Sequence, residues 1–195
     1  MARVLRFAIV ALALITAAEL CNGSEDTNTA ESADTGATNT FYQLWSNNTA
    51  MWYYNTTANM SPPCLLEVRN YINETMVNLT DLIRDPRHLR PYTDPEVWQF
   101  STRNLSLMWM THGMRNQTEE LLYSNENKSC GVVKYEYDIC YDVVHYHLLV
   151  GTEDPDGAAK NCQPKYANYT QYSKKVYRNW CKKYFQAAND AQMIS

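Results

Sequence analysis

Hydrophobic and polar residues alternate along several short stretches of the chain, the pattern of half-buried β-strands. Residues 85–95 hold three prolines and predict a longer loop, and Asp-Pro-Asp-Gly at residues 154–157 predicts a turn. Eight short strands at near-regular spacing predict a mainly β fold, an antiparallel barrel or sandwich. The predicted strands are residues 51–56, 64–72, 75–83, 96–102, 105–111, 119–123, 130–137 and 141–150.

Two segments change to a period of three or four residues, which predicts helices. Phe41, Leu44 and Trp45 have helical spacing and predict a short helix or a plug. Residues 169–185 predict an amphipathic C-terminal helix that packs on the outside of the barrel. Its apolar stripe consists of Tyr169, Tyr172, Val176, Trp180 and Tyr184, with Lys and Arg between them.

The N-terminus has the pattern of a secretory signal peptide. Arg3 and Arg6 precede an apolar run at residues 7–15, and small residues follow at 16–18. The run is shorter than the roughly 20 residues of a membrane span. We expect a signal peptide at residues 1–18, with cleavage just after residues 21–23 as the alternative, and a secreted, extracellular protein. The remaining predicted parts are a disordered lead-in (19–39), the barrel with its helix (40–185) and a tail (186–195).

Ten Asn-x-Ser/Thr sequons indicate N-glycosylation in a secretory pathway. A glycosylated Asn faces solvent, and side chains alternate along a strand. Trp52 and Tyr54 therefore point inward if Asn55 points outward, and Asp81 points inward if Asn78 points outward. The sequons are at Asn22, Asn47, Asn55, Asn59, Asn73, Asn78, Asn104, Asn116, Asn127 and Asn168.

Composition narrows the classes of function. Hydrophobic residues make up 45% of the chain, enough for a core, and the net charge of -4 argues against a nucleic-acid partner, which needs a basic face. Six cysteines fit an oxidising compartment. If Cys21 leaves with the signal peptide, the remaining five predict two disulfides and one spare thiol. No Cys-x-x-Cys pair occurs, so no zinc site is predicted.

A barrel of about eight strands can hold one small ligand in its mouth. We expect aromatic and aliphatic residues on the strands to line this cavity, although some of them simply fill the core. The candidates are Trp52, Tyr54, Leu79, Trp98, Phe100, Trp109, Tyr135, Tyr137 and Tyr146.

The polar candidates indicate binding rather than catalysis. Asp81, placed inside by strand parity, would hold the ammonium group of a ligand; the alternatives are a position at the rim or pairing with an Arg. His145 and His147 share a strand face but lack a third ligand, so neither a metal nor a cofactor is predicted. Cys140 lacks an orienting partner, and the chain has no Ser nucleophile elbow, phosphate loop or paired carboxylates. An enzyme would need turnover that depends on Cys140 or His145, and we predict none.

The order of several features carries a family resemblance. A short aromatic helix at residues 41–45 leads into the first strand and Cys64, and a Trp98-x-Phe100 strand opens a hairpin. The run of residues 121–123 precedes Cys130, and a hydrophobic last strand is followed by Cys162, a helix and Cys181. In this order, residues 40–181 resemble the tick salivary lipocalins, a group with histamine-, complement- and leukotriene-binding members and japanin-like immunomodulators.

The resemblance implies an eight-stranded antiparallel lipocalin-like barrel with a C-terminal α-helix. It also implies disulfides Cys64–Cys181 and Cys130–Cys162, with Cys140 unpaired. The chain departs from the amine-binding members at residues 130–132, which read Cys-Gly-Val, and at residues 142–146, because both acidic landmarks are altered.

The many Tyr and Trp residues and the Asn-rich first strand look most like the japanin-like branch. That likeness implies a sterol- or lipid-like apolar ligand, such as cholesterol or a lipid mediator, and modulation of host immunity through an immune protein or cell. One alternative is sequestration of histamine or serotonin. Another is a protein-interaction module that acts on complement or immune-cell receptors.

Overall fold

The computed structural model describes residues 38–84, 89–112, 115–139 and 141–190. The predicted signal peptide, nearly all of the lead-in, Asn22, Cys140 and residues 191–195 lie outside the described residues. The helices are α1 (Thr40–Asn47), α2 (Pro155–Tyr166) and α3 (Lys182–Asp190), with a 3₁₀ turn at Asn179–Cys181. The strands are β1 (Ala50–Thr56), β2 (Leu66–Ile72), β3 (Met76–Arg84), β4 (Leu89–Pro91), β5 (Glu96–Phe100), β6 (Leu107–His112), β7 (Arg115–Ser124), β8 (Cys130–Ile139), β9 (Tyr141–Gly151) and β10 (Lys174–Lys175).

Eight antiparallel strands close into a barrel. The order β1-β2-β3-β5-β6-β7-β8-β9 is completed by pairing of β9 with β1, while β4 pairs with β3 and β10 with β1. This confirms the predicted fold class and all eight predicted strands. The largest shift is in β7, which begins at Arg115 rather than residue 119 because the polar residues before Glu119 hid the alternation. The predicted loop at residues 85–95 contains the short β4.

Helix α1 closes one end of the barrel. Its N-cap residue Asn39 accepts hydrogen bonds from the backbone N–H groups of Phe41 (2.9 Å) and Tyr42 (3.4 Å). Its apolar face, which includes Leu44 and Trp45, is fully buried. The predicted plug is therefore present, and the opposite end of the barrel is the candidate mouth.

The predicted helix at residues 169–185 is wrong over most of its length. An extended segment with β10 runs along β1 instead, and the 3₁₀ turn and α3 follow it. Val176 and Tyr177 are both fully buried, because the segment is covered on two sides rather than on one helical face. The spacing of three and four residues between its apolar side chains therefore does not indicate a helix.

The helix on the outside of the barrel is α2, at the predicted turn of residues 154–157. Asp154 is the N-cap and accepts a hydrogen bond from the Gly157 N–H (3.1 Å), and Pro155 opens the first turn. Its buried face consists largely of small residues, which made a weak periodic signal. No helix in the described ranges is long and apolar enough to cross a membrane.

Two disulfides tie this outer layer to the barrel, with the pairing that the resemblance implies. Cys64–Cys181 spans 117 residues and fixes the C-terminal segment beside β2. Cys130–Cys162 spans 32 residues and fixes α2 to β8. Where the outer layer covers it, the barrel wall is thus buried on both faces, with one core inside and a second core beneath the outer layer.

Candidate ligand-binding site

Three acidic side chains from different strands lie buried in the barrel. Glu67 on β2 is directly opposite Asp81 on β3, and Glu119 comes from β7. Glu67 is 4% exposed and Glu119 2% exposed. Among the described residues, no Lys or Arg forms an ion pair with any of the three. The barrel therefore holds acidic groups that no Lys or Arg of the described residues balances.

Burial and mutual repulsion raise the pKa values of all three acids. Burial raises the pKa of Asp81 to about 7, and the charge of Glu96 on β5 adds to the effect. The pKa of Glu119 rises to about 8, through burial and then Asp81 and Glu96. The pKa of Glu67 is raised well above its ordinary value, through burial first and then Glu119, Asp81 and Glu96. The acids thus sense one another across the barrel and share protons near neutral pH.

Each of these carboxyl groups has an oxygen without a hydrogen-bond partner. The oxygens are Glu67 Oε2, Asp81 Oδ1 and Glu119 Oε2, all buried. A buried polar atom without a partner costs about 1–3 kcal/mol, and native proteins contain few of them. Three on acids that sense one another inside one barrel indicate a site that a bound molecule would complete.

Aromatic and neutral donor groups lie beside the acids. The Tyr53 ring lies 5.0 Å from the His147 ring, and burial holds the pKa of His147 at about 3, so this imidazole is uncharged. Thr56 Oγ1 accepts from the Ala58 N–H (2.9 Å) and lies 2.8 Å from His147 Nδ1. The Thr56 hydroxyl can then donate its proton to His147 Nδ1, which acts as the acceptor. We therefore assign the ring proton of His147 to Nε2. The site therefore combines acids with a neutral imidazole donor.

An apolar wall completes the interior. Leu79, Trp98, Phe100, Met108 and Met110 are buried in the inner core. Towards the mouth, the Tyr135 ring stacks on those of Tyr137 (6.4 Å) and His145 (6.5 Å). The interior thus offers both a charged and an aromatic surface to a ligand.

The structure brings together some of the predicted cavity residues. Leu79, Asp81, Trp98, Phe100 and Tyr135 lie inside the barrel. Tyr137 is half-buried beside Tyr135 near the mouth. Their contact with a ligand stays a prediction.

The inward orientation predicted for Trp52 and Tyr54 is wrong. Trp52 packs under the outer layer against Tyr177 and Phe185. Tyr54 stacks on Tyr177 and donates a hydrogen bond to Asp156 (2.9 Å). Parity failed because β1 is buried on both faces and its register shifts between residues 53 and 55. On β1, therefore, neither the burial of a side chain nor the outward orientation of Asn55 identifies the residues that face the barrel interior.

Tyr146 and Trp109, which were also predicted to line the cavity, do not face the barrel interior. Tyr146 lies outside the barrel, where its ring stacks on Tyr169 at 5.8 Å. Trp109 is 37% exposed, because its neighbours Met108 and Met110 take the inward positions on β6. A large aromatic residue on a strand is thus not by itself a cavity marker.

Sequence analysis missed Tyr53, Glu67, Thr56 and Glu119 as interior polar groups. Glu67 stands between Leu66 and Val68, and an acid inside such an apolar run was the available signal. His147 was considered only as a metal ligand. In the part of the chain that the structure describes, no group of three His, Cys, Asp or Glu side chains is arranged to hold a metal ion.

Asn55 is the sequon whose surroundings conflict with a glycan. Its Nδ2 donates to Gln163 Oε1 on α2 (3.2 Å), and its Oδ1 is buried. A sugar on Nδ2 would displace α2, which Cys162 fixes to the barrel. Asn104 and Asn127 are exposed in turns and serve as comparison sites.

When the protein is produced in a eukaryotic secretory host, we expect Asn55 to be unmodified, and Asn104 and Asn127 to carry glycans. Deglycosylation with an amidase in heavy-oxygen water, followed by peptide mapping, converts only modified Asn to labelled Asp. Labelled Asp at position 55 would contradict the packing of α2 against β1.

Comparison with known proteins supports the fold assignment. No protein-family profile matches the chain, and no curated protein sequence matches it. The structure is similar to that of AM182 in a serotonin complex, with 14% identity and a TM-score of 0.57 over 78% of this chain and 97% of that chain. It is also similar to siderocalin Q83, described with a dual ligand binding mode, with 11% identity and a TM-score of 0.51 over 72% of this chain and 94% of that chain. The chain has a lipocalin-like fold.

Proposed function

We propose that the protein captures a small organic cation, an amine on an aromatic or apolar body, inside its barrel. The observation that carries the proposal is the set of buried acids Glu67, Asp81 and Glu119, each with an unpartnered oxygen and none paired with a cation among the described residues. A purely apolar ligand would leave the three buried carboxyl groups without a hydrogen-bond partner or a counter-charge, which destabilises the protein. A protonated amine would supply both the charge and the hydrogen-bond donors that these oxygens lack.

An organic cation fits this interior better than a metal ion. The acids belong to separate strands, and no described group of three has a metal-binding arrangement. The apolar wall of Trp98, Phe100 and Leu79 suits an aromatic or aliphatic body. Removal of such a mediator from its surroundings would dampen a host inflammatory response, the role that the resemblance implies.

A neutral, largely apolar ligand is the second candidate. The raised pKa values of Glu67 and Glu119 mean that both side chains can be protonated near neutral pH. A protonated carboxyl group donates a hydrogen bond and can hold the single polar group of a sterol or fatty acid. If the protonated acids bind a lipid in this way, they keep their protons, so lipid binding releases none.

Binding of histamine and serotonin, measured by titration calorimetry, tests the proposal. We expect Asp81→Asn and Glu119→Gln each to weaken binding about 100-fold, because loss of one partner of a buried charge pair costs about 2–5 kcal/mol. The matched control is Glu120→Gln, which changes the neighbouring, half-buried carboxylate that lies opposite Lys134 in register. Unchanged affinity in both acid variants would contradict the proposed amine site.

Proton release separates the two candidates. An amine cation needs ionised acids, so its binding expels protons, and the measured enthalpy then varies with the ionisation enthalpy of the buffer. Binding of a neutral lipid without such variation, together with no amine binding, would establish the second candidate in place of the first.

A further inference from the structure

Positive charge is concentrated in the C-terminal part of the chain. Residues 169–189 contain five Lys or Arg and no Asp or Glu. The whole chain has 17 Lys and Arg against 21 Asp and Glu, which leaves 12 basic residues against all 21 acidic residues elsewhere. A basic segment on an acidic protein creates a local positive field that the net charge of -4 conceals.

Part of this segment forms a compact basic face with the end of β3. The Arg84 guanidinium lies 4.7 Å from the centroid of the Trp180 ring and 5.4 Å from that of Tyr184. The Lys183 ammonium lies 4.9 Å from the Tyr184 ring. The basic face is defined here as Arg84, Trp180 and Lys183, which these ring contacts bring together, with Arg178 and Lys182 as their neighbours along the chain.

The disulfide Cys64–Cys181 holds the basic face in place. Cys181 lies between Trp180 and Lys182, and it is fully buried while Arg178, Trp180 and Lys183 around it are exposed. The charged side chains therefore project from a rigid turn rather than from a free tail. A preformed array loses less conformational entropy when a ligand binds.

The charges of the basic face have no carboxylate partner among the described residues. In the part of the chain that the structure describes, no carboxylate forms an ion pair with Arg84, Arg178, Lys182 or Lys183. The described close contacts of the Arg84 and Lys183 charges are with aromatic rings, which leave the positive charge in place. Trp180 is 41% exposed among them.

The basic face also lies away from the predicted glycans along the chain. No sequon falls within residues 79–103 or 169–195, which contain all of its residues. Arg84 lies in the stretch 79–103, and the other residues of the basic face lie in the stretch 169–195. The chain thus provides a glycan-free stretch where its positive charge is exposed.

We propose that the basic face binds a sulfated glycosaminoglycan. Sulfate groups along a sugar chain accept hydrogen bonds from guanidinium and ammonium donors, as phosphate groups do. The exposed part of Trp180 can pack on the apolar face of a sugar ring. A charged turn with one exposed large aromatic lacks the broad apolar surface that would insert into a lipid interface. This site is separate from the barrel interior, so the proposal does not depend on the nature of the barrel ligand.

Affinity chromatography of the secreted full-length protein on immobilised heparin tests the proposal. We expect retention at about 0.15 M salt and little retention on a sulfonated resin of equal charge density. The double variant Arg178→Glu/Lys183→Glu should flow through the heparin column. The matched control Lys128→Glu/Lys165→Glu makes the same change in net charge at the β7–β8 side, where Lys165 lies over Tyr123, and should still be retained. Thermal unfolding of each variant verifies the fold.

Four results would overturn the proposal. These are flow-through of the parent protein, retention of the Arg178→Glu/Lys183→Glu variant, equal loss in the control, and equal retention on the sulfonated resin. Binding to phosphatidylserine vesicles without binding to heparin would replace the glycosaminoglycan with a membrane surface. If the basic-face variant unfolds, the milder Arg178→Gln/Lys183→Gln pair should elute from heparin at clearly lower salt than the parent, and unchanged elution would count against the site.

Discussion

The protein is expected to become more stable to heat as the pH falls from 8 to 6.5. Asp81 and Glu119 have folded-state pKa values raised to about 7 and about 8, whereas ordinary carboxyl groups titrate near 4. Over this interval the folded protein takes up protons that the unfolded chain does not. The stability linked to these acids is therefore complete below the unfolded pKa and is lost as the pH rises through the folded pKa.

The size of the effect follows from linkage. Each group contributes up to about 1.4 kcal/mol per pH unit once the pH is below its folded pKa. Between pH 8 and 6.5 Glu119 then contributes roughly 1–2 kcal/mol and Asp81 about half as much, which makes about 2 kcal/mol together. Because a chain of this size gains about 2–4 °C in Tm per kcal/mol, we expect Tm to rise by about 4–8 °C.

His147 acts in the opposite direction, but at lower pH. Burial lowers its folded-state pKa to about 3, so its contribution to stability is present above the unfolded value of 6.5 and is lost as the pH falls below it. His145, with a lowered pKa, has the same sign. The acids therefore dominate the interval from pH 8 to 6.5, and the histidines oppose them only towards its lower end.

Calorimetric melting of the ligand-free protein across this interval checks the prediction. The double variant Asp81→Asn/Glu119→Gln should have a flatter profile and a higher Tm at pH 8, because it removes the buried charges. The exposed-side control Glu120→Gln should keep the slope of the parent. A parent Tm that stays constant or falls towards pH 6.5 would mean that the acids are solvated or paired in the folded protein.

The barrel could be predicted from sequence because its signal is local. Alternation of residues along each strand, as in β8 and β9, depends only on which side chains face the two sides of the sheet. The disulfides came from the family resemblance, since spacing alone leaves several pairings open. The C-terminal segment could not be predicted, because the burial of Val176 and Tyr177 depends on the outer face of β1 that they cover.

The candidate site was harder to predict for the same reason. Strand parity identified the inward orientation of Asp81 on β3, where most of the outward residues are polar. It failed on β1, where Trp52 and Tyr54 are buried by the outer layer rather than by the barrel interior. Glu67 meets Asp81 across the neighbouring strands β2 and β3, whereas the approach of Glu119 on β7 depends on barrel closure, which joins residues far apart in sequence. No local pattern contains that information.

Loss of the Cys64–Cys181 disulfide is expected to destabilise the protein more than loss of Cys130–Cys162. In the chain-entropy account, a cross-link over 117 residues contributes about 5 kcal/mol and one over 32 residues about 4 kcal/mol. All four cysteines are fully buried, so paired Ala substitutions avoid leaving buried thiols or hydroxyl groups. Thermal unfolding of Cys64→Ala/Cys181→Ala and Cys130→Ala/Cys162→Ala compares the two.

Limited digestion with trypsin tells which part of the molecule each bridge restrains. Cys181 anchors the exposed Arg178 and Lys183, which are held on the barrel in the intact protein. Without Cys64–Cys181 the segment keeps the β10 pairing and noncovalent packing, such as that of Tyr177 and Phe185 on Trp52, but it has no covalent tie to the barrel. Cleavage after Arg178 and Lys183 should therefore become faster under native conditions. The Cys130→Ala/Cys162→Ala variant should resist cleavage there, because its lost bridge restrains α2 instead. Equal protection in both variants would mean that packing of the outer layer, rather than the bridge, holds the basic face in place.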